Sequence, residues 1–445
     1  MARTPQRGKV AHGRVSGSTH SRSDSDSQAE LAELRVDGLF GRYDHRITFP
    51  HLPESSSEPS LVILFGENGI GKTTLLQMLD GLLGLDFDIF RTRPFRSCTL
   101  RLTTGQELSV ATEGAGTPLT MSFDGRTGVL DPRRKGALDP KRQPEVDELS
   151  AAFREARSHI SFQFIPTART PKYPMPPEAR DWYRYYEPSP LDDQPEVRLR
   201  LGMDRLRLEG REGTLGSQVR QFIQDAQGNY RRFFATESAL FERILRAISG
   251  PDTAMYDANV LKDTIDRISR NDETYLHLGI RPEEWDYKRL TTVLASADLQ
   301  PKQLAVLGAY IEGLDARAAQ KQALVDRLLT FESVMTDFLK DKTVMIDDHE
   351  GLRIETATHA TLREDQLSSG EFHLLYLMVA ALVATRRGTL IAIDEPEMSM
   401  HISWQTQLIS SLLRCASNAR PQLVLATHSP DVTANYRQFM VGLGS

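Results

Sequence analysis

The sequence predicts an α/β fold: a mixed sheet carrying a phosphate loop, an antiparallel β subdomain beside it, and a helical domain inserted between two lobes. Three observations lead there. Residues 61–76 read LVILFGENGIGKTTLL, an apolar run that breaks into a glycine loop and then a leucine-rich segment. Residues 390–393 and 423–426 are further short apolar runs that end in polar side chains, the pattern of buried parallel strands. Between them, about 196–343 carries the three-and-four apolar spacing of helices.

The glycine loop is the most specific of these signals. Gly66, Gly71, Lys72 and Thr73 hold the fixed places of Gly-x-x-x-x-Gly-Lys-Thr. Leu61 to Phe65 read as a buried strand, and a helix is expected from about Lys72. Gly66, Glu67, Asn68, Gly69, Ile70 and Gly71, running on into Lys72, Thr73 and Thr74, are the candidate cradle. Glycine lets the backbone N–H groups come close to a polyphosphate. Lys72 is expected to reach the β- and γ-phosphates and Thr73 to hold Mg²⁺, while the helix N-terminus adds partial positive charge. Binding of a nucleoside triphosphate is the expectation.

Bulk properties narrow the class. At 445 residues, with 40% hydrophobic and 26% charged side chains, the chain is long enough for two or three domains. Its formal net charge of −6 gives no global drive toward nucleic acid or anionic membrane. The two cysteines, Cys98 and Cys415, have no metal-ligand spacing, so a disulfide framework or zinc site is not expected. The longest apolar run, Leu374 to Ala384, suits a buried helix rather than a membrane span, and the N-terminus lacks a signal-peptide apolar stretch. A cytoplasmic protein without membrane contact is expected.

Along the chain, 1–28 is polar and basic and reads as a disordered tail. An N-terminal lobe follows over 29–175. In it, LAELRVDGLF and YDHRITFP around Gly41 read as paired strands, ESSSEPS as a turn, and 97–130 as an antiparallel sheet. Residues 131–147 read as a surface loop, and HISFQFIPTAR as a strand ending at Pro166. Proline-dense 171–195 marks a boundary, and 176–343 is the helical insertion. Leu304, Leu307, Ile311, Leu314 and Ala318, then Leu324, Leu328, Phe331, Met335 and Phe338, form one apolar stripe on a long helix or helical hairpin. A second lobe occupies 344–445, opening with strands TVMIDD and LRIETAT.

Four segments of the second lobe carry further chemistry. LSSGE, 367–371, precedes an apolar helix from Phe372 to Ala384 and offers hydroxyl and N–H groups to an anion. In GTLIAIDEPE, Asp394 and Glu395 end a buried strand, Asp394 suiting a water-bridged Mg²⁺ and Glu395 a general base. Met398 to His401 form a turn suited to bridging subunits. LVLATHSP ends a further strand in Thr427, His428 and Ser429, where α/β sheets bind ligands, and His428 is read as a γ-phosphate sensor.

The set GENGIGKT, LSSGE, LIAIDEPE, EMSMH and ATHSP resembles the ABC-type ATPase head, with Walker A, signature, Walker B, D-loop and H-loop in the family's order. It covers about 30–175 and 345–440. LSSGE and DEPE with the following His look like the soluble RecF, SMC and OLD branch. LFGRYDH and HISWQ look like stand-alone ATPases of antiphage systems such as PARIS and Septu. The resemblance implies ATP and Mg²⁺ as cofactors. It makes Lys72, Glu395 and His428 catalytic, Thr73 and Asp394 metal-binding, and Ser368, Ser369 and Gly370 contacts to the nucleotide of the opposite subunit. Gln163, before Ile165 and Pro166, stands for the lobe-linking glutamine that contacts Mg²⁺ and the attacking water. Ser369, replacing a signature glycine, and His401, in place of the D-loop aspartate, argue against a transporter.

The implied assembly is a head-to-tail homodimer, or a higher homo-oligomer, with two ATP molecules sandwiched between subunits. The expected role is an ATPase sensor and scaffold that regulates a separate effector, a nuclease, in antiphage defence. Little sequence follows His428, so no nuclease domain of its own is expected. The alternative is a RecF/SMC-like DNA-binding repair ATPase, for which Arg91, Arg93, Arg96 and Arg101, and Arg198, Arg200, Arg205 and Arg207, would contact phosphates.

Overall fold

The computed structural model describes residues 29–51, 59–114, 117–130, 144–158, 160–166, 214–234, 245, 256–274, 278, 280, 286–296, 299–347, 349–384, 389–416 and 420–443. The 1–28 tail, the proline-dense 171–195 stretch and the cluster Arg198, Arg200, Arg205 and Arg207 lie outside these residues.

The N-terminal hairpin forms as expected. β1 (Leu31–Leu39) and β2 (Tyr43–Thr48) pair antiparallel. They join β4 (Ser97–Leu102), β5 (Glu107–Ala111), β6 (Leu119–Phe123) and β7 (Arg126–Leu130) in a six-stranded antiparallel sheet, order β2-β1-β4-β5-β6-β7. Alternation along β4 and β6 buries Cys98, Leu100 and Leu102, then Leu119, Met121 and Phe123, the pattern of a sheet with one covered face.

A second sheet, which carries the phosphate loop, is wholly parallel among the described residues and lies beside the antiparallel one, within the α/β fold that the sequence predicts. Its members are β3 (Ser60–Phe65), β8 (Phe162–Ile165), β12 (Leu390–Asp394), β13 (Gln422–Thr427) and β14 (Met440–Gly442), in the order β14-β3-β13-β12-β8. Both faces are covered, which is why these strands read as unbroken apolar runs. Leu61, Ile63, Ile391, Ile393, Leu423 and Leu425 point into one core; Val62, Leu64, Leu390, Ala392, Val424 and Ala426 point into the other. Each such buried aliphatic side chain contributes about 1.5–3 kcal/mol. Buried Gln422 ties the two sheets together, accepting from Leu31 N at 3.1 Å and donating to Leu31 O at 3.1 Å.

Helices α1 (Lys72–Gly84), α2 (Asp88–Thr92) and α3 (Pro144–Ala156) accompany the first lobe. Residues 144–147, expected in a loop, open α3. Proline is tolerated at a helix start because the N–H it lacks would have no partner there.

The described residues within 176–343 are mostly helical: α4 (Leu215–Phe234), α5 (Ala258–Thr274), α6 (Tyr287–Leu294) and α7 (Pro301–Phe338). The two apolar half-stripes lie on the single 38-residue helix α7, not on a hairpin. Only part of the insertion forms its own core, around Leu261, Ile265, Leu294 and Ile311. Leu215, Val219, Phe222 and Ile223 of α4, and the α7 residues from Leu324 to Phe338, join the core under the parallel sheet. The boundary expected at 343/344 falls inside β9 (Lys342–Asp347), which pairs with β10 (Gly351–Thr356) and, through it, β11 (Thr361–Leu362). The last helices are α8 (Ser369–Val383), α9 (Ile402–Cys415) and α10 (Pro430–Thr433). Among the described residues no helix is long and apolar enough to cross a membrane.

Candidate nucleotide site

The phosphate loop joins β3 to α1 at the carboxyl end of the parallel sheet. Gly69 and Gly71 take φ of +88° and +105°, a region that penalises a Cβ. At Gly71 a Cβ would also stand 2.6 Å from Leu39 Cδ2. The β1–β2 corner therefore shapes the loop from outside, and buried His45 on β2 bonds Ile70 O through Nε2 at 3.2 Å. α1 carries no acidic residue in its first turn, so its N-terminal dipole faces the loop uncompensated.

Lys72 donates to Gly66 O at 2.6 Å and Glu67 O at 3.1 Å, which holds its ammonium within the loop. Burial pushes the Lys72 amine below its ordinary value, and Glu395, Glu397 and Asp394 pull it back up. Three carboxylates thus act on one amine in a partly desolvated place.

Register brings the second lobe to this loop. β13 lies between β3 and β12, with Thr427 opposite Phe65 and Asp394 opposite Ala426. Asp394 consequently ends beside α1, where Thr73 Oγ1 donates to Asp394 Oδ1 at 3.0 Å. That bond spends the hydroxyl proton and leaves the Thr73 lone pairs for a hard cation, whose preference is oxygen. The two oxygens together are of the kind a hard divalent cation prefers.

Glu395 follows with φ +47°, and its N–H donates to Ala426 O at 2.8 Å. A non-glycine residue in this region is strained. Ser399, φ +61°, makes the second such turn before His401. His401 caps α9, its Nδ1 accepting from Ser403 N at 3.3 Å.

Glu397 is the residue that sequence reasoning missed. It is buried, and its Oε1 accepts from Thr427 Oγ1 at 2.7 Å and from His428 N at 3.2 Å. His428 Nδ1 stands 3.4 Å from the same oxygen. Glu397 thereby fixes the end of β13 and the orientation of the His428 ring. Residue type alone gave no signal for it, because its donors, Thr427 and His428, lie at the end of another strand.

The Ser368 turn sits elsewhere. Ser368 is the N-cap of α8, and Ser369 and Gly370 lie in its first turn. The helix begins at Ser369, three residues before its expected start at Phe372, because Ser368 and Glu371 form a reciprocal capping box. A Cβ on Gly370 would overlap the Ser399 carbonyl, so glycine lets α8 pack on the turn after Pro396. Gln163, on β8, pairs with Ile391, three positions before Asp394 on β12, so its backbone lies ~10 Å back along the strands at 3.3 Å per residue.

Of the basic residues weighed for DNA, Arg91 pairs with Asp88 at 2.7 Å and Arg101 with Glu33 at 3.2 Å. Exposed Arg93 and Arg96 flank them.

Residues 193–434, just over half of the chain, match the family described as "AAA domain, putative AbiEii toxin, Type IV TA system". The chain belongs to this family. The part matched by this AAA-domain family holds Ser368, Asp394, Glu395, Glu397 and His428, while the phosphate loop precedes it. Among solved structures, the chain is similar to the Smc head domain with an extended coiled coil bound to the C-terminal domain of ScpA, derived from Pyrococcus furiosus. That match has 13% identity and a TM-score of 0.39, covering 92% of each chain. It is also similar to the Smc head domain with a coiled coil and joint from Pyrococcus yayanosii, at 13% identity and TM-score 0.36, covering 92% of this chain and 93% of that one. No curated protein matches the chain.

Proposed function

We propose that the protein binds ATP with Mg²⁺ and hydrolyses the terminal phosphate. The observation that carries this reading is the Thr73–Asp394 hydrogen bond, which joins the phosphate loop to the carboxylate strand. Mg²⁺, when bound, neutralises phosphate charge. Lys72 and the loop N–H groups hold the phosphates, Glu395 accepts the proton of the attacking water, and His428, held by Glu397, donates to the γ-phosphate.

The exposed Ser368 turn serves a second copy of the chain, so that each nucleotide is closed by a head-to-tail dimer. Ser368 is exposed and its hydrogen bonds run within its own helix cap, which leaves an outward surface for a partner. The assembly regulates a separate effector protein in antiphage defence.

Phosphate release by the purified protein, with and without Glu395→Gln, tests the enzyme reading. Turnover lost with ATP binding retained is expected. Equal phosphate release by the two proteins would remove Glu395 as the base. Native mass spectrometry of Glu395→Gln with ATP and Mg²⁺, co-expressed with its flanking genes, tests the assembly. A bare monomer would overturn it.

A further inference from the structure

The helix that presents Ser368 is gripped at both ends by side chains on the run that leaves the helical insertion. At its N-terminus, Lys342 Nζ lies 2.5 Å from Glu371 Oε1. Glu371 Oε2 accepts from Ser368 N at 2.8 Å, and Glu371 N donates to Ser368 Oγ at 3.3 Å. The Lys342 and Glu371 side chains are only 23% and 16% exposed, so this pair is better shielded than an ordinary surface ion pair. Burial pushes the Glu371 carboxyl up, but Lys342 and the Ser368 bonds outweigh it and hold the group below the usual carboxylate range.

At the other end of α8, buried Arg327 donates through Nη2 to Ala381 O at 3.1 Å and Ala384 O at 2.5 Å. Its Nε donates to Cys415 O at the end of α9, at 3.3 Å. Terminal helix carbonyls lack internal partners and carry the negative end of the dipole, so one guanidinium serves two helix ends.

Arg327 belongs to α7, and Lys342 opens the strand just after it. Between them, Glu332 Oε1 accepts from Ile346 N at 2.7 Å, and Phe338 meets Trp404 edge-on at 5.9 Å. This end of α7 is therefore bolted to β9, α8 and α9. Toward its other end, Ile311 packs with Leu261, Ile265 and Leu294, and Arg267 pairs with Asp315 at 2.5 Å.

We propose that Lys342 and Arg327 are positioning residues for Ser368, and that α7 is the rod through which a displacement in the helical insertion reaches the nucleotide site. The proposal rests on the ATPase reading above. Because Ser368 Oγ accepts from Glu371 N, its own proton is left to donate outward to an acceptor such as a phosphate oxygen. The direction of that proton follows the cap, and the cap follows Glu371 and Lys342. A small rotation of α7 thus changes whether the second copy can complete the site.

The test compares wild type with Lys342→Met, Lys342→Arg and Asp315→Arg, the last at the far end of α7. A fluorescent ATP analogue reports binding and phosphate release reports turnover. Lys342→Met is expected to bind nucleotide as wild type does and to melt within a few degrees of it, while kcat falls roughly tenfold through misplacement of Ser368. Lys342→Arg should restore most of kcat, and Asp315→Arg should change kcat without changing binding. Wild-type kcat in both Lys342→Met and Asp315→Arg would overturn the proposal, as would equal losses of binding and kcat in Lys342→Met. Absence of ATP turnover in wild type would instead overturn the enzyme reading itself.

Discussion

Thr427 Oγ1 donates to Glu397 Oε1 at 2.7 Å, a buried contact that closes the end of β13 beneath His428. Glu397→Ala leaves Thr427 Oγ1 and the His428 N–H without their acceptor. A buried donor stripped of its partner costs about 1–3 kcal/mol. We expect a melting temperature lowered by several degrees, nucleotide affinity near that of wild type, and turnover reduced because His428 loses its orientation. Calorimetry and steady-state kinetics on one preparation check both; unchanged kcat would detach His428 from the reaction.

Thr73 and Asp394 make a sharper chemical test. On the function proposed above, Thr73→Ala removes a cation ligand and Asp394→Asn removes the charge behind it. Each should lower Mg²⁺-dependent turnover by at least roughly a hundredfold, in line with loss of a metal-positioning group. Raising Mg²⁺ should partly rescue Asp394→Asn and leave Thr73→Ala inactive. Rates insensitive to Mg²⁺ in wild type would sink the metal assignment.

At Gly370, alanine has no space under the Ser399 carbonyl. Gly370→Ala should therefore separate α8 from the 398–401 turn, at about 1–3 kcal/mol of stability by overpacking. ATP-driven dimerisation should be lost as well. Analytical ultracentrifugation with ATP reads the second effect; a dimer as tight as wild type would mean the turn lies outside the interface.

The two cysteines give a pH prediction. Burial pushes the Cys415 thiol up to about 12, from an ordinary value of 9.0, and raises Cys98 further. Raised thiols in the folded state mean that the unfolded chain loses its protons first. Their contribution is whole below pH 9 and declines as pH rises from there toward about 12. Denaturant midpoints should fall over that window, and Cys98→Ala with Cys415→Ala should flatten the slope. In the native protein neither thiol should react with a thiol reagent at pH 8, and both should react after unfolding.

The chemistry-bearing strand ends were legible because their covering is complete. Leu61 to Leu64, Leu390 to Ile393 and Leu423 to Ala426 have a core on each face, and the hydrophobic run records that without reference to any neighbour. Glycine positions in the phosphate loop record a backbone conformation in the same local way. How far Gln163 stands from Asp394 was not legible, because strand register, a relation between β8 and β12, has no imprint on residue type. Glu397 was overlooked for the opposite reason. Its identity was plain, but its donors lie on another strand.

By itself the sequence determined the phosphate loop, the carboxylate strand and the apolar stripes of the long helix, since these follow from local periodicity and backbone chemistry. Only the tertiary structure decided that β13 separates β3 from β12, so that Thr73 meets Asp394 across 321 positions. It alone decided that Lys342 and Arg327 hold the two ends of α8. Such contacts depend on which elements become neighbours. Neighbourhood is set by the burial of whole faces, not by the residues that later meet there.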